Sequence, residues 1–243
     1  MSLIKNSAWN IGAVLLPAIV AFPVLGIISR KLGIEAFGVF TLIYALLGFA
    51  SLLDMGISRA LVRAISISRY DLHCVKSYLL TASVTVVIIG SFFGVSLYLG
   101  REVVATFLNV TDSNFDSVVT SLSLASIAIP LLLLSLVWQS FLEGVERFQE
   151  LSIIKIIMNT LISLFPLIAI MVEQSIVYAV LGVLVARFIS LLVFYAYTSR
   201  EFKDINSVIF DVDKLKTLSK FGGWLTVSNI ISPMMNYFDR FLH

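Results

Sequence analysis

Arg187 is the only charged side chain between Gln174 and Ser199. An arginine at the centre of a membrane-spanning helix costs about 2.5–3.5 kcal/mol on insertion scales, so such residues face a protein interior or a wet cavity. The planar guanidinium fork matches phosphate oxygens. Two chemistries follow: capture of an anion in a central, water-accessible site, or an internal pair with a carboxylate or backbone carbonyls. Asp54, Arg59 and Arg63 form a second group at the end of the second apolar run. Arg59 and Arg63 stand one helical turn apart and share a face. They receive an anion, gate two helices, or act only as interfacial anchors. Arg30 closes the first apolar run, where it lines a cavity or simply ends a span. Asp239 and Arg240 lie close to the end of the chain.

Other chemistry finds little support. The sequence has no HExxH, no GxSxG and no P-loop, and no acid/base pair of carboxylates on an outward loop, which argues against an enzyme. Asp112 and Asp116 sit among Asn109, Thr111, Ser113 and Asn114, a setting of helix caps and turns. His73 and Cys74 are adjacent but lack further ligands, so neither a metal nor a cofactor is expected. Cys74 is the single cysteine, which excludes a disulfide scaffold. The net charge of +2 comes from basic residues in short loops, without an aromatic-interleaved patch for nucleic acid.

These residues must be held by membrane helices. The chain is 59% hydrophobic and 13% charged with a mean hydropathy of +1.00, far outside the range of soluble domains. Charged residues bracket the apolar runs: Lys5 to Arg30, Glu35 to Asp54, Lys76 to Arg101, Asp116 to Glu143, Lys155 to Glu173, the Arg187 segment, and Lys220 to Asp239. Each is close to the 20 or so residues that cross a bilayer core. The expected fold class is an all-α polytopic membrane protein, a six-helix bundle followed by a seventh transmembrane helix. The first run is too long for a signal peptide, carries Pro17 and Pro23, and shows no small-x-small cleavage site before Arg30, so it is expected to remain as a helix.

Orientation follows from the basic residues. Lys5, Arg59, Arg63, Arg69, Lys76, Arg147, Lys155, Arg200, Lys203, Lys214, Lys216 and Lys220 fall on one side. Only Arg30, Lys31 and Arg101 fall on the other. The positive-inside bias places the N-terminus in the cytoplasm. All five prolines, Pro17, Pro23, Pro130, Pro166 and Pro233, lie inside spans, a pattern of bent helices around a cavity. Gly90 and Gly94 form a small-xxx-small face for close helix packing.

Several stretches together resemble the flippases that export O-antigen and other polysaccharide units. Ser2-Leu3-Ile4-Lys5-Asn6-Ser7-Ala8-Trp9-Asn10, Pro17 and Ile28-Ser29-Arg30-Lys31-Leu32-Gly33 with Phe37-Gly38 are similar to the start of that family. Leu53-Asp54-Met55-Gly56-Ile57-Ser58-Arg59-Ala60 with Arg63 resembles its second-helix signature, and Glu143-Gly144-Val145-Glu146-Arg147-Phe148 its link between helices four and five. Phe221-Gly222-Gly223-Trp224, Ser228-Asn229-Ile230-Ile231-Ser232-Pro233 and Asp239-Arg240-Phe241 are similar to its seventh helix. The family belongs to the multidrug/oligosaccharidyl-lipid/polysaccharide exporter superfamily, whose members pair two six-helix bundles across a cavity.

The resemblance implies three parts: an N-terminal bundle over 1–199, a cytoplasmic linker over 200–220, and over 221–243 the first helix of a truncated C-terminal bundle. It implies transport of an undecaprenyl-diphosphate-linked oligosaccharide from the inner to the outer leaflet of a bacterial cytoplasmic membrane, with membrane lipid and the polysaccharide polymerase machinery as partners. Arg187 would anchor the diphosphate, with Asp54, Arg59, Arg63 and Arg30 as further candidates for the cavity. The alternatives are a cation-coupled drug or metabolite exporter of the same superfamily and a nonfunctional truncated remnant. The exporter would need an acidic residue deep in the bundle, whereas the deep charge here is cationic.

Overall fold

A computed structural model describes residues 3–108, 110–202 and 210–224. The described residues contain helices and connecting turns but no strand. In chain order the helices are α1 (Leu3–Leu32), α2 (Ile34–Ala50), α3 (Ile57–Ile67), α4 (Leu72–Phe107), α5 (Asp112–Gly144), α6 (Phe148–Val172) and α7 (Ile176–Ser199). A further helix, α8, covers 212–224. Six helical segments are long and apolar enough to cross a membrane: α1, α2 with the short 3₁₀ turn that follows it, and α4 to α7. The protein is therefore an all-α, multi-pass membrane protein. The remainder of the expected seventh span, including Pro233, Asp239 and Arg240, lies outside the described residues.

The spans form a bundle in which α4 packs chiefly on α5, α1 on α6, and α7 on both α5 and α6. The interior is lined by Phe40, Leu122, Leu133, Phe141, Ile170 and Phe194. Lipid tails are as apolar as these side chains, so close contact rather than the hydrophobic effect must hold the helices together. Small residues at the crossings supply it. A Cβ on Gly90 would stand 2.7 Å from Pro130 Cα, and one on Gly94 would stand 2.6 Å from the Ser126 carbonyl oxygen. That carbonyl lies four residues before Pro130, which has no N–H to offer it. The glycine face expected from the sequence thus packs against the stretch of α5 that its proline opens. Gly182 of α7 repeats the arrangement against Phe165 and Pro166 of α6. Pro17, Pro23, Pro130 and Pro166 all lie within continuous helices.

At the end of the bundle rich in Lys and Arg, hereafter the basic end, the loops have structure of their own. Asp54 closes the 3₁₀ turn Ser51–Asp54, after which Met55 and Gly56 both adopt left-handed backbone. This reverses the chain into α3, an amphipathic helix with Ile57, Ala60, Leu61 and Ile65 buried and Arg59 and Arg63 exposed. The link from α5 to α6 receives α3: a Cβ on Gly144 would clash with Ile65, Ser66 Oγ donates to the Gly144 carbonyl at 3.3 Å, and Arg69 pairs with Glu146 at 2.6 Å. Arg147 reaches Glu201 beyond α7, also at 2.6 Å.

Helix α8 lies against the same end. Asp211 caps it, accepting from the backbone N–H groups of Asp213 and Lys214, and its own N–H donates to Thr81 Oγ1 at 3.2 Å. The Lys214 amide, foremost among these contacts, holds the Asp211 carboxyl below the usual carboxylate range. Leu218 is buried, Lys214 lies over the Tyr78 ring and Arg63 over the Phe221 ring, 4.4 Å from its centre. The backbones of Gly56 and Gly222 meet so closely that a Cβ on Gly56 would stand 2.6 Å from the Gly222 carbonyl oxygen.

Candidate anion-anchoring site

Arg187 sits near the middle of α7. Val183, Ala186, Ser190 and Leu191 around it are buried, so this part of the helix turns towards the bundle. The side chain is partly buried, and its Nε is buried with no hydrogen-bond partner. No ion pair to it occurs among the described residues. Its electrostatic neighbour is Tyr44 of α2, whose ring lies 6.1 Å from that of Phe40. A buried guanidinium N–H without an acceptor is costly, and an anion supplying oxygen atoms would remove that cost. The sequence offered no signal for Tyr44, because its proximity to Arg187 depends on how α2 and α7 cross.

The other candidates occupy different levels. Asp54 is 7% exposed, and its carboxylate is engaged: it accepts from the Ser58 backbone N–H at 3.0 Å and from Ser58 Oγ at 3.0 Å. It thereby satisfies an open amide in the first turn of α3, with Arg59 as a nearby cation. Arg59 and Arg63 are exposed on the outer face of α3. Arg30 is exposed in the last turn of α1 beside Lys31, at the end of the bundle opposite α3. There the two cations complement the C-terminal end of the helix dipole. The structure thus groups Asp54, Arg59 and Arg63, and holds Arg187 and Arg30 apart from them and from each other.

Near the opposite end, Glu35 of α2 accepts from Thr111 N–H at 3.1 Å and from Thr111 Oγ1 at 2.7 Å, tying α2 to the start of α5. Asn114 Nδ2 in turn donates to Thr111 Oγ1. Thr111 thus stands at the N-cap of α5 and Asn114 in its first turn.

Residues 3–243 match the family described as polysaccharide biosynthesis protein. A Shigella flexneri protein named "Putative O-antigen transporter" is 38% identical over 243 residues, covering 100% of this chain and 58% of that protein. The chain thus spans just over half the length of this relative. Among solved structures, a MATE crystal structure superposes with a TM-score of 0.77 at 13% identity, over 96% of this chain and 55% of that one. A MOP superfamily transporter from Pyrococcus furiosus gives 0.73 at 14% identity, over 96% of this chain and 54% of that one. These two likenesses establish a shared helical fold. With the family match running along almost its whole length, the chain belongs to the polysaccharide biosynthesis protein family and has the membrane fold of MOP superfamily transporters.

Proposed function

We propose that the protein acts in a flippase that moves undecaprenyl-diphosphate-linked O-antigen or other surface-polysaccharide units across the bacterial inner membrane, from the cytoplasmic to the periplasmic leaflet. The observation that carries this reading is Arg187, a cation deep in the bundle whose buried Nε has no partner. A diphosphate is anionic and its sugars are strongly hydrated, so neither crosses hydrocarbon unaided. Arg187 binds the diphosphate oxygens by charge-assisted hydrogen bonds, while the polyprenyl tail stays in the bilayer. Arg59 and Arg63, exposed at the basic end, draw the anionic head group towards the bundle, and Asp54 positions them by capping α3. Arg30 lines the opposite mouth.

The basic end faces the cytoplasm in this reading, as the positive-inside bias requires, and the N-terminus is cytoplasmic. Residues 1–199 form one lobe, 200–220 a linker, and 221–243 the opening helix of a second lobe, so that alternating access arises from rocking between lobes. The relative named as an O-antigen transporter supports the substrate class. The polysaccharide polymerase machinery is the expected partner on the far side of the membrane.

The test is deletion of the gene in its source bacterium, followed by re-expression of these 243 residues, with surface lipopolysaccharide resolved on a gel. Loss of the long-chain ladder on deletion supports the flippase, and its return on re-expression shows that this length suffices. An unchanged ladder on deletion contradicts the proposal and favours the drug or metabolite exporter.

A further inference from the structure

A separate cavity of about 380 Å³ opens between α4, α5 and α7 towards the basic end. Its lining includes Lys76 and Ser83 of α4, Trp138 of α5, and Tyr195 and Thr198 of α7. Thr198 lies eleven positions beyond Arg187, about 16 Å further along the helix at 1.5 Å per residue, so this is not the Arg187 site.

Three features give the cavity a chemical character. Trp138 and Tyr195 form a tilted aromatic pair with ring centres 5.1 Å apart, and the indole N–H donates to Ser83 Oγ at 3.3 Å. Lys76 supplies a cation. Thr198 is only 4% exposed, and its Oγ1 is buried without a hydrogen-bond partner. This hydroxyl is unlike others in the spans: those of Thr85, Ser121, Ser135 and Ser140 each donate to the carbonyl four residues back in their own helix. Thr198 leaves that bond unmade beside a cavity, at a cost that an incoming oxygen would offset.

A lysine, an unsatisfied hydroxyl and a Trp/Tyr pair over apolar walls, at the level where spans leave the bilayer, complement an anionic phosphate carried on a partly apolar body. We propose that this cavity binds an anionic glycerophospholipid. The phosphate sits between Lys76 and Thr198, and the glycerol and first methylenes lie against Trp138 and Tyr195. The volume holds a head group with the start of its chains, leaving the rest of the lipid in the bilayer.

The experiment uses the full chain in nanodiscs, carrying Trp9→Phe and Trp224→Phe so that Trp138 is the one remaining indole of the three. Its fluorescence is followed as brominated phosphatidylglycerol or brominated phosphatidylcholine replaces a small share of unlabelled phosphatidylcholine. The expected result is a preference of about fivefold for quenching by phosphatidylglycerol, the size associated with one lysine at an anionic surface. Lys76→Gln abolishes the preference, Lys76→Arg retains it, and Thr198→Val weakens quenching by both lipids about threefold while keeping the preference, because both carry the phosphate. Equal quenching by the two lipids overturns the proposal. So does loss of the preference when inorganic phosphate is added, because the site would then take free phosphate rather than lipid.

Discussion

A charge inside an apolar run is visible without any structure, because nothing in the run offsets its transfer cost; hence Arg187 was legible in the sequence. Its surroundings were not, since Tyr44, an electrostatic neighbour on α2, is distant in sequence and comes near only because α2 packs on α7. Asp54 shows a different limit. From sequence it reads as an acid near the membrane interior, open to an anion gate or a coupling ion. In the structure its carboxylate is turned onto the Ser58 amide and hydroxyl. Asp54→Ala therefore removes the cap of α3, at a cost of about 1 kcal/mol. The check is a lower thermal midpoint of the purified protein in detergent. Ser58→Ala, which keeps the amide contact, should lower it less.

The six spans could be bounded by charge alone because crossing a bilayer imposes a length on an apolar helix. Helices α3 and α8 escaped that rule, being short segments whose apolar faces are covered by other helices. The signal for α3 was the helical spacing of Ile57, Ala60, Leu61 and Ile65, with Arg59 and Arg63 on the other side. For α8 the decisive contact is between Gly56 and Gly222, which no local pattern announces. Gly222→Val is expected to lift α8 from the bundle and expose 212–224 to protease while the spans remain resistant. The Asp211 cap adds a pH dependence. A carboxyl held below its ordinary value stabilises the docked helix above the unfolded pKa of about 3.9, and that contribution is lost as pH falls through the lowered value. Acidification below about pH 4 should therefore shift Trp224 emission in a protein lacking Trp9 and Trp138, and Asp211→Asn should flatten the acid limb of that curve.

For the molecule as a whole, composition revealed the class, and motif order revealed the family that the comparisons then established. What sequence patterning cannot show is which side chains from different helices come together, because that depends on how the helices cross. The proposed orientation has its own test in intact cells, in a Cys74→Ser background. Tyr70 and Ile34 are 99% and 91% exposed and lie at opposite ends of the bundle. A membrane-impermeant maleimide should label Ile34→Cys and spare Tyr70→Cys until the membrane is opened. The reverse pattern would invert the topology.

The most direct test of the central claim replaces Arg187 at the chromosomal locus. Arg187→Ala should leave the protein at its normal level in the membrane, abolish the long-chain polysaccharide ladder, and cause the lipid-linked unit to accumulate in the cytoplasmic leaflet. Arg187→Lys, which keeps the charge but loses the fork, should retain part of the export. Normal export in the alanine variant would contradict the anchoring role of Arg187.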